Sequence, residues 1–458
     1  MKFKLTEIPG SIVAPRGFRA SGVFCDIKRL GTGKGSEKGK KRDLALIVSD
    51  SPATVAGMFT TNQVCAAPVK VCVERVKKGW ARAIVVNSGN ANACTGKQGM
   101  QDALEMAAFT ERALNLPKNS ALVGSTGRIG VTLQMDNVRA GIIEGAVELG
   151  STRSHAAAAA EAIMTSDTRS KKLAVEFKLG GKSVRMGGVC KGAGMIQPGM
   201  SVTGARPAAM PLHATMLCFI TTDAAVEARA LQMALREAVA NSFNRITVDG
   251  DMSTNDTVIV LANGRAGGRN SKLQTPNSKF KSAQSSVLNQ KSAGFAVFQA
   301  ALSHICLGLA KMIVRDGEGV SRFVTVRVMG AKSFADADAA ARAIANSALV
   351  KTSWHGGDPN WGRIIDALGY SPATVIEGKV DIGYSAPGSR KILWSLKRGQ
   401  PTAASFKDLC GAVAPKEFDL HVRLNLGQSS ALMYAADLTE EYVEFNKGDV
   451  GDPGSLGG

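Results

Sequence analysis

Short apolar runs separated by polar, glycine-rich segments characterise the first part of the chain. The apolar runs at 43–50 (DLALIVSD), 56–62 (AGMFTTN) and 81–89 (ARAIVVNSG) end in turn-forming residues, which predicts three strands. Apolar residues recur at helical spacing over 100–115 and 137–149, which predicts two amphipathic helices. Strands and helices therefore alternate from the start, as they do in α/β and α+β proteins.

The segment 172–186 has the pattern of a β-hairpin. Leu173, Val175 and Phe177 alternate with charged residues, Gly180-Gly181 follows, and a second apolar stretch completes the pair. The alternation of element types then continues, with strands predicted near 216–222 and 257–263 and helices near 225–243 and 292–313. We predict an α/β (α+β) fold.

A new unit begins near residue 322, and we place this boundary within about four residues. Three valines alternate along a predicted strand at 322–330, and a helix opens at Ser333. A late strand at 417–426 puts its apolar residues on one face and His421 on the other. We therefore expect His421 at the solvated surface.

Charge is concentrated in two segments. The 458 residues include 45% hydrophobic and 21% charged residues, as in folded proteins, and the net charge is +18. Segments 28–42 and 265–291 carry +6 each, so the rest of the chain carries only +6. Neither segment interleaves aromatic residues for base stacking. We interpret both as solvated basic loops and expect no nucleic-acid partner; a basic nucleic-acid binder is the competing interpretation.

Cysteine spacing and hydropathy bear on metals, membranes and location. The eight cysteines form no C-x-x-C pair, and none has a histidine at metal-ligand spacing, so we expect free thiols and no metal site. No run approaches the ~18 uninterrupted apolar residues of a membrane-spanning helix. The first residues lack the apolar core of a secretory signal. These features predict a cytoplasmic protein without a membrane partner.

The polar, glycine-rich clusters lack the common nucleophile motifs. There is no G-x-S-x-G elbow, no P-loop and no G-x-G-x-x-G that opens a helix after a strand, and the five histidines are dispersed. Threonine beside glycine is abundant instead, with a lysine and a glutamate in similar surroundings. This pattern favours a threonine nucleophile whose base is not histidine, such as an N-terminal threonine that uses its own α-amine.

These clusters also carry a resemblance. In order along the chain they are DLALIVSD (43–50), NSGNANACTG (87–96), STGRIG (125–130), ATMLCFITTDA (214–224), SFNRITVDGDMSTNDT (242–257), IVRDGEG (313–319) and GGDPNWGRI (356–364). With VAPRGFRASGV (13–23) and DLTEEYVEFN (437–446) at the two ends, the chain resembles the ornithine acetyltransferase family, also called glutamate N-acetyltransferase, over nearly its whole length.

The resemblance implies an acyltransferase of arginine biosynthesis that cuts itself between Ala214 and Thr215. Thr215 would then be the N-terminal nucleophile, and an α-amine with a pKa of about 7.7–8.0 can accept its proton. It would take the acetyl group from N2-acetyl-L-ornithine, release L-ornithine and pass the acetyl group to L-glutamate, which gives N-acetyl-L-glutamate. No cofactor is implied, and the sequence leaves open whether acetyl-CoA is also a co-substrate.

The family's functional residues map onto motifs of this chain. Thr126 and Gly127 correspond to the oxyanion donors. The substrate-binding positions correspond to Thr165, Lys191, Thr215, Glu318 and Asn446. A lysine ammonium suits a substrate carboxylate, and a glutamate carboxylate suits the substrate's ammonium group.

Four departures from the family pattern stand out. Thirteen additional residues, 201–213, end directly at the predicted scissile bond. Arg128 stands where an aliphatic residue is usual, and Ser166 replaces a threonine. The fifth position after Asn446 is Gly451 rather than threonine or serine, so the last substrate ligand stays unassigned.

The resemblance also implies architecture and assembly. It predicts an α/β/β/α layered sandwich with a smaller C-terminal α+β domain: an α chain of 1–214, a β-chain part of 215–321 that completes the sandwich, and a C-terminal domain of 322–458. Two α and two β chains would form a heterotetramer. The alternative function is a self-processed aminopeptidase or amidohydrolase of the same fold, in which water resolves the acyl-enzyme.

Overall fold

A ten-stranded sheet forms the larger part of the molecule. The computed structural model describes residues 4–28, 41–205, 216–267 and 287–447. The sheet contains β1 (Thr6–Glu7), β2 (Phe18–Val23), β3 (Leu44–Thr60), β4 (Trp80–Asn90), β5 (Ala121–Arg128), β6 (Lys171–Leu179), β7 (Lys182–Lys191), β8 (Met200–Ser201), β9 (Leu217–Thr222) and β11 (Thr257–Ala262). Its order is β1-β6-β7-β9-β11-β3-β4-β5, and β2 and β8 also pair with β3.

The long strand β3 connects the two layers of this sheet. Its first part pairs with β2 and β4, and its second part pairs with β11. The register shifts between Val48 and Ala53, which interrupts the regular ladder. The two strands predicted at 43–50 and 56–62 are therefore one strand with an irregularity. Phe219 of β9 lies against Gly124 of β5, so the two parts of the sheet face each other.

Helices cover both outer faces. One side carries α1 (Ala67–Val76), α2 (Gly96–Ala113), α3 (Met135–Val147) and α4 (Arg153–Ala162), which pack on β2, β3 and β5; the other carries α5 (Ala228–Ala240) and α6 (Phe295–Arg315), which pack on β3, β6 and β7. The layers run helix, sheet, sheet, helix. The predicted α/β class and layered sandwich are confirmed.

Helix α6 is 21 residues long and mostly apolar. By length and hydropathy alone it could cross a membrane, with a mean hydropathy of 1.6 over 18 residues, and no other helix in the described ranges qualifies. Half of this 18-residue stretch is buried within the protein. Phe298, Leu302 and Ile305 are fully buried in the core beside β6 and β7. The apolar stretch is thus used as a core helix of the sandwich.

The predicted hairpin is present. β6 and β7 pair antiparallel from Lys171 opposite Cys190 to Leu179 opposite Lys182. Gly180 and Gly181 form the connection with φ angles of 54° and 80°, which glycine adopts without strain.

A second sheet lies towards the C-terminus. Its order is β10-β17-β12-β16-β13-β14-β15, with β10 (Ile246–Thr247), β12 (Phe323–Ala331), β13 (Asp381–Ser385), β14 (Leu393–Lys397), β15 (Gln400–Pro401), β16 (Glu417–Arg423) and β17 (Ser429–Ala436). The helices of this part are α7 (Phe334–Asn346), α8 (Ala348–His355), α9 (Trp361–Gly369), α10 (Phe406–Val413) and α11 (Glu440–Phe445). Ser333 caps α7 by accepting a hydrogen bond from the Asp336 amide at 3.1 Å.

The expectation for His421 was wrong. Its side chain is buried, and one ring nitrogen lies 2.9 Å from the Ser385 hydroxyl. β16 is flanked by β12 and β13, and Arg327 of β12 pairs with Asp419 beside the histidine. Burial lowers the pKa of His421. Alternation along one strand identifies the apolar face, but it does not show whether neighbouring side chains cover the polar one.

Candidate active site

Thr126 and Gly127 lie at the end of β5, where it runs parallel to β4. Gly127 has a φ of 130°, and a Cβ there would lie 2.3 Å from the carbonyl carbon of Gly89. Any larger residue would push the two strands apart, so the close approach requires glycine. The Asn255 side chain fixes the same region by donating to the carbonyl oxygens of Ala91 and Ser125 at 2.7 and 2.8 Å.

Lys191 brings the end of β7 to this position. Its side chain is buried, and its Nζ donates to the Thr126 Oγ1 at 3.2 Å. Because an ammonium only donates, the Thr126 hydroxyl is the acceptor and its own hydrogen stays available for another partner. The contact therefore orients Thr126 as a hydrogen-bond donor towards the site.

The start of β9 lies between β7 and β11. Leu217 pairs with Lys191 of β7 on one side and with Thr257 of β11 on the other. Met216, which follows the predicted nucleophile in the sequence, donates its amide to Asp256 Oδ1 at 2.6 Å. Ala214 and Thr215 themselves lie outside the described residues.

Asp256 is a site residue that sequence reasoning missed. Its side chain is fully buried, and its Oδ2 has no hydrogen-bond partner in the part of the chain that the structure describes. Burial raises the pKa of Asp256 well above its ordinary value, although the Met216 amide and Lys191 oppose the shift. Burial therefore favours the neutral form of this carboxyl group. It stands inside the STNDT motif, and that was the available signal.

Thr165 is held by Asp167. Asp167 Oδ2 accepts from the Thr165 amide at 3.0 Å, and Oδ1 accepts from the Gly192 amide at 2.8 Å and from Lys171 Nζ at 2.5 Å. Burial alone would raise the pKa of Asp167, but the charges of Lys171 and Lys191 outweigh it and the pKa is lowered. Asp167 is therefore an anion that ties the Thr165 loop to the end of β7.

Glu318 and Asn446 contact each other beside the 192–194 loop. The Glu318 amide donates to the Ala193 carbonyl at 3.0 Å, and Asn446 Nδ2 donates to Glu318 Oε2 at 2.9 Å. A Cβ on Gly194 would lie 2.3 Å from that same Oε2. Glycine at 194 thus lets the carboxylate lie directly against the loop.

The charge of Lys191 interacts with the carboxylates of both Asp167 and Glu318. Burial lowers the pKa of Lys191, while Asp167, Glu318 and Asp256 all favour its charged form and Lys171 opposes it. Of the predicted site residues, Lys191 contacts Thr126, whose neighbour is Gly127. Thr165 is tied through Asp167 to Gly192, the residue after Lys191, and Glu318 contacts Asn446 beside the 192–194 loop. Gly451 lies outside the described residues.

A metal has no obvious ligand set here. Over the described ranges, no group of three or more His, Cys, Asp or Glu side chains could hold a metal ion. All eight cysteines are free thiols, and five of them are buried. The groups placed at the site are a lysine, threonine hydroxyls, carboxyl groups and backbone amides.

Comparison with known proteins identifies the family. The sequence profile of the ArgJ family matches residues 20–448. This chain belongs to the ArgJ family. The arginine biosynthesis bifunctional protein ArgJ of Symbiobacterium thermophilum is 44% identical over 439 residues, which cover 96% of this chain and 98% of that protein. The glutamate N-acetyltransferase of Methanocaldococcus jannaschii is 41% identical over 446 residues, again 96% and 98% of the two chains.

One solved ArgJ-family structure is informative about ligands of that protein. It is the ornithine acetyltransferase of Mycobacterium tuberculosis complexed with ornithine, 35% identical to this chain. The match covers 43% of this chain and 100% of that chain, with a TM-score of 0.39. Membership in the ArgJ family makes the present protein an enzyme of the acyltransferase class.

Proposed function

We propose that this protein transfers the acetyl group of N2-acetyl-L-ornithine to L-glutamate through an acetyl ester on Thr215, as a step of arginine biosynthesis. The observation that carries the proposal is the hydrogen bond from Lys191 to Thr126 beside the start of β9. Lys191 is paired with Leu217, two residues after the proposed nucleophile, so the contact supports a role for Thr126 and Lys191 close to Thr215.

The chemistry needs two half-reactions. The Thr215 hydroxyl attacks the acetyl carbonyl while its α-amine takes the proton, and Thr126 with the Gly127 amide stabilises the oxyanion. The C–N bond breaks, the proton moves to the departing nitrogen, and ornithine leaves. The glutamate amine then attacks the ester, and Thr215 recovers its hydroxyl proton as N-acetylglutamate forms.

Charge complementarity supports the assignment of the amino-acid site. Lys191 would bind the substrate's α-carboxylate, and Glu318, oriented by Asn446, would bind the ornithine side-chain ammonium. Thr165 completes the site from the loop that Asp167 fixes. A buried lysine directly before the 192–194 loop and a carboxylate that contacts this loop match a substrate that carries both charges.

The same proposal includes processing and assembly. Self-cleavage at Ala214–Thr215 would give chains 1–214 and 215–458 and free the α-amine. The two chains would form a cytoplasmic heterotetramer without nucleic acid or a bound cofactor. The division at 321/322 would separate the sandwich from the C-terminal domain.

An acetyl-transfer assay tests the function. Purified enzyme, N2-acetylornithine and glutamate should yield ornithine and N-acetylglutamate in equal amounts. Release of free acetate at the same rate with or without glutamate would contradict the transferase and indicate the hydrolase alternative. Acetyl-CoA offered as the only donor measures whether the enzyme is bifunctional.

A further inference from the structure

A buried ionic cluster underlies the proposed amino-acid site. Lys171, the first residue of β6, bridges the carboxylates of Asp167 and Asp316, which are 4 and 145 residues away in the sequence. The exposed fractions of these three side chains are 1%, 0% and 3%. Burial would lower the pKa of Lys171, but the two carboxylates outweigh it and raise the pKa. The lysine is thus a fully buried cation.

The same two carboxylates also accept hydrogen bonds from the segments that line the site. Asp167 accepts from the amides of Thr165 and Gly192, and Gly192 directly follows Lys191. Asp316 accepts from the Thr168 amide at 3.2 Å and from the Thr168 hydroxyl. Asp316 also lies two residues before Glu318 in the sequence. One ammonium therefore joins the loops that carry Thr165, Lys191 and Glu318.

Stability alone does not account for such a cluster. Desolvation of buried charges offsets much of their attraction, and replacing a buried ionic triad by apolar residues is often neutral or stabilising. The Lys171 cluster joins three separate segments that the proposed reaction needs in one geometry. Fixing the relative positions of these segments explains why the cluster is buried, since small displacements of binding groups lower binding or rate by large factors.

We propose that Lys171 is a positioning residue of the amino-acid site: through Asp167 and Asp316 it sets the relative placement of Thr165, Lys191 and Glu318. The inference rests on the proposed function, because these three residues are taken to bind the substrate. Lys171 itself does not contact the substrate in this account.

The test measures ornithine binding by calorimetry and thermal unfolding in parallel for purified, full-length variants. Lys171→Met removes the ammonium and leaves two buried carboxylates without it. The double variant Lys171→Met with Asp316→Asn restores the charge balance but not the bridge. Glu111→Gln is the matched control, because the Arg75–Glu111 pair is similarly buried and contacts none of the site residues.

We expect Lys171→Met to raise the Kd for ornithine about 10–100-fold and to lower the Tm. The double variant should regain much of the Tm while its Kd stays raised, a separation that a purely structural role would not produce. Glu111→Gln should lower the Tm and leave the Kd unchanged within about twofold, as expected for a distant site. If Lys171→Met does not fold, Asp316→Asn alone should raise the Kd.

Failure of the positioning role and failure of the proposed function would give different results. A double variant that recovers both Tm and Kd, or a folded Lys171→Met that binds ornithine like wild type, overturns the positioning role and leaves the proposed function intact. A wild-type enzyme that neither binds ornithine nor transfers acetyl groups overturns the proposed function, and the role of Lys171 falls with it.

Discussion

Replacing Thr126 by alanine removes the side-chain donor of the proposed oxyanion site. Thr126 is buried, and its hydroxyl accepts from Lys191 at 3.2 Å, so its hydrogen is the one that can reach the oxyanion. Loss of one such donor lowers turnover by roughly 10²–10³-fold, or about 2.7–4 kcal/mol of transition-state stabilisation. The variant also leaves the buried Lys191 ammonium without that acceptor, which costs about 1–3 kcal/mol that appears as lost stability or weaker binding.

The assay is steady-state acetyl transfer, with ornithine binding and thermal unfolding measured on the same preparations. Thr126→Ser is the control, since it keeps the hydroxyl and loses only a methyl group; it should be at least about tenfold more active than Thr126→Ala. Turnover of Thr126→Ala close to that of wild type would refute the oxyanion assignment. A serine variant as damaged as the alanine variant would show that packing, rather than the hydroxyl, is what matters.

Three further results are expected. Asp256→Asn should retain turnover within about tenfold, because the asparagine oxygen can still accept from the Met216 amide, whereas Asp256→Ala should slow self-cleavage and turnover; strong loss in both variants would show that this hydrogen bond alone does not explain the role of Asp256. Lys191→Met should lower kcat and raise the KM for acetylornithine, while Glu318→Gln should act mainly on KM; unchanged kinetics in both would remove the binding assignment. Burial lowers the pKa of Lys351 to about 8 from its ordinary 10.5. Between pH 8 and pH 10.5 the unfolded chain therefore holds more protons at this side chain than the folded protein, so the Tm of wild type relative to Lys351→Met should rise with pH. A difference in Tm that stays constant over this range would contradict the buried position of Lys351.

Local signals predicted much of the fold. The period-two pattern at 172–186 and the pair of glycines placed the β6–β7 hairpin correctly, because the register of a hairpin depends on neighbouring residues. The same reasoning treated β3 as two strands, since Asp50 to Pro52 has the composition of a turn while tertiary pairing keeps it within one strand. For His421, the covering residues come from other strands and are not adjacent in sequence.

In the site, too, the sequence identified the residues in local motifs but not those whose roles depend on distant partners. Motifs identified Thr126, Lys191 and Glu318, and the structure shows which strand ends and loops bring them together. The roles of Asp256 and Lys171 depend on pairs far apart in the chain: Asp256 with Met216 across 40 residues, and Lys171 with Asp316 across 145. A carboxylate or a lysine beside an apolar strand is common in sequences, so the roles of both residues became clear only from their burial and partners, although the STNDT motif contains Asp256.

The most direct test of the account is the mass of the protein after a brief reaction with N2-acetylornithine in the absence of glutamate. The account predicts two chains without added protease, 1–214 and 215–458, with one acetyl group on the second chain at Thr215 that disappears when glutamate is added. Thr215→Ala should stay a single chain and carry no acetyl group. A wild-type chain that remains whole yet transfers acetyl groups would contradict the N-terminal threonine mechanism.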